Sequence, residues 1–91
     1  MDKVTKGERA AELMESPIFK AAVEGVRMAI HAQWAASPLR DIEGQQALRM
    51  ELKLLDDLVG NIRSMVNAGK METVRAHNTA LDKIRRFAKV K

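Results

Sequence analysis

Residues 42 to 67 read IEGQQALRMELKLLDDLVGNIRSMVN, and this stretch decides the fold. Leu48, Leu52, Leu55, Val59, Ile62 and Val66 follow one another at spacings of 4, 3, 4, 3 and 4, the rhythm that keeps side chains on one side of an α-helix. The seam holds for about five turns as a heptad pattern. A second row, Leu54, Leu58 and Met65, widens the apolar stripe. A single partner helix covers less than that, so the element is expected to touch at least two others.

Working outward toward the N-terminus, Ser37-Pro38 disfavours helix through the steric restriction on the residue before proline, and Asp41 is a good N-cap for the segment that starts at Ile42. Before that turn, Phe19, Val23, Val26, Ile30 and Trp34 repeat at spacings of 4, 3, 4 and 4. Lys20, Glu24, Arg27 and His31 mark the polar side. Ser16-Pro17 supplies the start, Ser as N-cap and Pro at the first helical position, where its missing N–H had no partner. A connection this short joins antiparallel helices, so segments 17–36 and 42–67 predict a helical hairpin. Further upstream, Thr5 stands three residues before Glu8, as a capping box requires, and predicts a short helix over 5–15. Downstream, Gly69 reads as the residue that closes the long arm. Residues 70–91 then form a separate amphipathic helix with Met71, Val74, Leu81, Ile84 and Phe87 on one side and bases on the other. The expected fold class is all-α in a single domain.

Composition agrees with that reading. The chain has 91 residues, 46% of them hydrophobic and 31% charged, with two Phe, one Trp, no Tyr and no Cys. Ala, Leu, Ile, Val and Met must build the core, which favours helices over sheets. Without cysteine there are no disulfides, no thiolate chemistry and no zinc–thiolate site. A chain this short buries only about 60 to 65% of its unfolded surface. The remaining way to gain stability is contact with another chain. No apolar run approaches the roughly 18 residues that span a bilayer, and MDKVTKGERAAELMES lacks the apolar block of a secretion signal, so a soluble intracellular protein is expected. The net charge of +4 is unevenly spread. Residues 1–36 balance five bases with five acids, and 37–69 carry four bases and five acids. Residues 70–91 hold seven bases against Glu72 and Asp82, so the whole excess sits in the tail.

The sequence offers little to chemistry. Ser16, Ser37 and Ser64 carry no nucleophile-elbow pattern, and His31 and His77 lack the spacing that sets two ligands on one helix face. Glu8, Glu12 and Glu15 share a face, but a solvated acidic edge is the better reading of them than a cation site. No enzyme activity, cofactor, metal or small-molecule substrate is expected. Gly25 and Gly60 lie inside helices, where each costs about 1 kcal/mol relative to Ala; they mark either a close crossing or positions where glycine is simply tolerated. Trp34 caps the tip of its arm or anchors in a partner's pocket. The candidate protein interface is Phe19, Val26, Ile30, Trp34, Leu54, Leu58 and Met65. Lys83, Arg85, Arg86, Lys89 and Lys91 could contact phosphates with little sequence preference or an acidic patch on a partner. They lack a recognition-helix motif and an aromatic row for stacking on single strands.

Three stretches carry a resemblance: ESPIFKAA (15–22), IHAQWAASPLRDIEGQQAL (30–48) and the long amphipathic segment ending in NAGK (67–70). Together, over roughly residues 8–72, the chain resembles a group of short helical proteins encoded among the head and DNA-packaging genes of tailed bacteriophages. That resemblance implies a small virion or head-region accessory, present in the host cytoplasm during assembly and in the virion. It transfers no active site. The function expected is structural, through helix-mediated protein contact with other copies of the chain or with a larger virion protein. The alternative is a small basic nucleic-acid-associated regulator or DNA-packaging factor, and a host-directed inhibitor that mimics a partner helix is a third reading.

Overall fold

A computed structural model describes residues 1–90, with side chains described through residue 87. It contains three helices: α1 (Lys3–Glu15), α2 (Pro17–Ala36) and α3 (Ile42–Val90). Among the described residues there is no strand.

The helix starts follow local hydrogen bonding. Asp2, not Thr5, is the N-cap of α1: its Oδ1 accepts from the Thr5 N–H at 2.7 Å. That bond, from the Thr5 backbone first and its side chain second, holds the Asp2 carboxyl below the ordinary carboxylate value. Asp wins over Thr here because it offers a charged acceptor to the orphan amides, so the helix starts earlier than expected. Ser16 caps α2 as the sequence predicts, its Oγ accepting from the Phe19 N–H at 3.3 Å with Pro17 in the first turn. The Asp41 Oδ1 accepts from the Gly44 N–H at 3.0 Å to open α3. The turn between α2 and α3 is tied down by Ser37 Oγ donating to the Gln33 carbonyl (2.8 Å) and Gln45 Nε2 donating to the Pro38 carbonyl (3.0 Å).

The break expected at Gly69 is absent. α3 runs unbroken for 49 residues, and no described glycine adopts positive φ. A glycine ends a helix only by turning left-handed. Here Lys70, Met71 and Glu72 follow, all good helix formers, and no proline lies downstream to stop the run. The long arm and the basic segment are therefore one continuous rod. At 1.5 Å per residue the rod is about 73 Å long, which sets the 78 Å long dimension of the molecule.

Along that rod α1 and α2 lie end to end, antiparallel to α3. Val4 and Ala11 of α1 sit beside Thr73 and Val66, Phe19 and Val23 of α2 sit beside Val59, and Arg27 meets Asp56. Numbers on α3 fall as numbers on the jointed arm rise. The seam of Leu48, Leu52, Leu55, Val59, Ile62 and Val66 is the face of α3 turned toward the arm, each of these residues being buried or half-buried. The core is thin. Among the described residues only Ala10, Ile30 and Leu48 are buried hydrophobics.

The backbones of α1 and α3 come together at Gly7 and Gly69. A Cβ placed on Gly7 would fall 2.9 Å from the Gly69 Cα and 3.0 Å from the Met65 carbonyl oxygen. One placed on Gly69 would fall 2.9 Å from the Gly7 Cα and 3.0 Å from the Lys3 carbonyl oxygen. The two backbones touch, which only a pair of glycines permits. Gly25 and Gly60, the crossing candidates from sequence, have nothing within 4 Å of such an atom.

Candidate interaction surface

One ion pair shows which sides of α2 and α3 point the same way. Arg27 Nη1 donates to Asp56 Oδ1 at 2.8 Å, joining α2 to α3, and Glu24 lies 3.9 Å from the same guanidinium. At about 100° per residue, Arg27 and Asp56 each lie past the seam of their own helix in the same rotational sense. Their contact means that this sense points to one side of the layer on both antiparallel helices. The opposite sense then also points to a common side. It carries Ala22, Val26 and Ala29 on α2 and Leu54, Leu58 and Met65 on α3. Leu13 of α1 joins them beside Ile62 and Met65.

The layer thus has a charged side and an apolar side. On the apolar side Val26 is 49% exposed, Leu54 60% and Leu58 55%; Leu13 is also exposed and Met65 is half-buried. Of the other candidate interface residues, Ile30 is buried, and Phe19 and Trp34 are half-buried. Phe19 lies beside Met14, Val23 and Val59. These three belong to the packing of the hairpin, because their spacing is that of the inward seam itself. The row next to the seam is the one left uncovered.

The basic segment is placed differently. Every described residue from Thr73 to Phe87 is exposed, so the last part of α3 projects beyond the start of α1. Lys83 and Arg86 stand one turn apart, whereas Arg85 points elsewhere and lies 4.0 Å from Asp82. Arg75 likewise lies 3.8 Å from Glu72. The cations ring the rod instead of forming a stripe. Lys89 and Lys91 lie outside the residues whose side chains are described.

Among the described residues, no cluster of three or more His, Cys, Asp or Glu is arranged around a possible metal position, and no polar or charged residue is buried. His31, His77, Glu8, Glu12 and Glu15 are exposed. No described helix is long and apolar enough to cross a membrane. The glycine crossing was missed from sequence because a helical glycine carries no local mark of what it faces. A signal was nevertheless present: Val4, Gly7 and Ala11 match Val66, Gly69 and Thr73 in spacing and in small size. Comparison of the chain with protein-family models, with curated proteins and with solved structures finds no match.

Proposed function

We propose that this chain is a non-enzymatic assembly protein that works by burying its apolar side against other protein, in the manner of a small virion or head-region accessory of a tailed phage. The observation that carries the proposal is the uncovered row of Leu54, Leu58 and Val26 on a molecule whose own core holds so few buried side chains. At about 25 cal/mol per Å², covering a few hundred Å² of this row contributes roughly 5 to 10 kcal/mol, as much as the whole net stability of a small domain. The phage setting rests on the resemblance of residues 8–72 alone, and with it the host cytoplasm and the virion as locations.

The competing use of the basic rod, duplex DNA binding, is separated by salt. Anisotropy of a labelled duplex is expected to show weak binding that is little changed in a Lys83→Gln, Arg85→Gln, Arg86→Gln triple variant. Tight binding at low salt that collapses with added salt and is lost in the triple variant transfers the function to nucleic acid.

A further inference from the structure

We infer that the apolar side is closed by a second copy of this chain, two hairpin layers stacking about a two-fold axis parallel to the helices, so that Leu54 and Leu58 of each copy pack on Ala22, Gly25 and Ala29 of the other. The inference rests on the assembly reading above and names its partner.

Three observations lead to it. The first is angular. On α3 the row of Leu54, Leu58 and Met65 lies roughly 90° from the seam that faces α1 and α2. Two apolar stripes a quarter-turn apart are what each helix of a four-helix bundle needs, one for each neighbour. The hairpin supplies two of the four helices.

The second is complementarity of size. On the matching side of α2, Ala22, Gly25 and Ala29 form an exposed row, with Val26 (49% exposed) toward the seam and Ile18 (81% exposed) one turn before Ala22, and a Cβ on Gly25 would meet nothing within 4 Å. At the height of Leu54 and Leu58 on one helix of the face, the other therefore presents a run of small residues. The Arg27–Asp56 contact and the packing of Phe19 and Val23 beside Val59 set these rows at the same height. A two-fold axis parallel to the helices keeps that height while exchanging the two positions. It lays the leucine row of α3 over the small-residue row of the other copy's α2, and every adjacent pair of helices is antiparallel. Two leucine rows would meet instead under an axis that set α3 against α3.

The third is area. A compact monomer of 10.2 kDa exposes about 5,300 Å² by the usual mass scaling, whereas this chain exposes 7591 Å². The excess is roughly 2,300 Å², against the ~800 Å² per partner of a standard interface and ~1,000 to 2,500 Å² for obligate dimers. The projecting rod, exposed at every residue from Thr73 to Phe87, holds part of that excess, and a standard interface on the apolar side needs only about a third of it.

Because the chain has no cysteine, the register can be read by cross-linking of the full-length protein. Leu58→Cys and Ala22→Cys variants are made separately, mixed and oxidised. The mixture is expected to give a covalent dimer, and neither variant alone gives one. Sedimentation of the unmodified chain is expected to show twice the 10.2 kDa mass, reverting to a single chain with retained helicity in Leu54→Glu, Leu58→Glu. A monomer at micromolar concentration overturns the inference. So does cross-linking of Leu58→Cys with itself, which would place α3 on α3. A mass that stays double in the glutamate variant also overturns it. None of these outcomes decides the DNA titration, so this interface and the assembly reading fail separately.

Discussion

Gly7 and Gly69 sit where substitution has opposite effects on a helix and on its packing. Alanine at either position gains about 1 kcal/mol of helix propensity, yet its methyl would sit 2.9 Å from a Cα of the facing backbone. Backbone cannot swing aside as a flexible side chain does, so α1 must lift from α3, and overpacking of that kind costs about 1 to 3 kcal/mol. Gly7→Ala and Gly69→Ala are each expected to lower the thermal midpoint, and Gly69→Leu to lower it further. Gly60 is the control: open space surrounds its Cβ position, so Gly60→Ala keeps the propensity gain and raises the midpoint by roughly 4 to 8 °C per kcal/mol. Circular dichroism melts decide it, and equal behaviour at all three positions would refute the crossing as a determinant of stability. This is also where the sequence was least legible. Ser16, Pro17 and Asp41 act within three or four residues of themselves, so their capping roles could be read locally. The roles of Gly7 and Gly69 depend on a partner 62 positions away in the chain, and NAGK looks like a helix end until that partner is known.

At the scale of the element, α3 is one helix with two environments. Between Leu48 and Gly69 its inward side chains are buried or half-buried, and from Thr73 to Phe87 all are exposed. The projecting part is helical because it extends a stem that is already packed, which removes the nucleation cost, and because Ala, Arg, Lys and Leu favour helix. No tertiary burial reinforces it. Its i,i+3 pairs, Arg75 with Glu72 and Arg85 with Asp82, are exposed ion pairs, worth only a few tenths of a kcal/mol each. Amide exchange is therefore expected to show residues 48–66 opening only with global unfolding. Residues 76–87 should exchange within about tenfold of an unfolded chain, an opening free energy near 1.4 kcal/mol or less. Protection of 76–87 equal to that of the packed stem would mean that another chain covers the rod. The heptad seam was legible because periodicity is an average over many residues. The continuity of the rod was not, because it turns on the conformation of a single glycine.

The whole molecule is a rod, 78 × 25 × 19 Å with a Cα radius of gyration of 21.4 Å, against about 12 Å for a compact chain of this length. Shape then separates modes of association that mass alone does not. Stacking a second layer on the apolar side adds material across the 19 to 25 Å dimensions, with helix axes about 10 Å apart. The radius of gyration should rise by only about 1 Å by that geometry, while forward scattering per chain doubles. Joining two copies end to end through the exposed rods would instead lengthen the particle and bring the radius of gyration above roughly 30 Å at the same mass. Small-angle scattering across a concentration series is expected to show doubled forward scattering with a nearly constant radius. Long-axis growth would move the assembly surface from Leu54 and Leu58 to Val74, Leu81 and Ile84, which are 57%, 36% and 64% exposed. That row lies on the part of α3 beyond the arm, where a partner could attach without touching the hairpin. A rod that grew this way would leave Gly25 in open solvent, and Gly25→Leu would then be as harmless as Gly60→Ala.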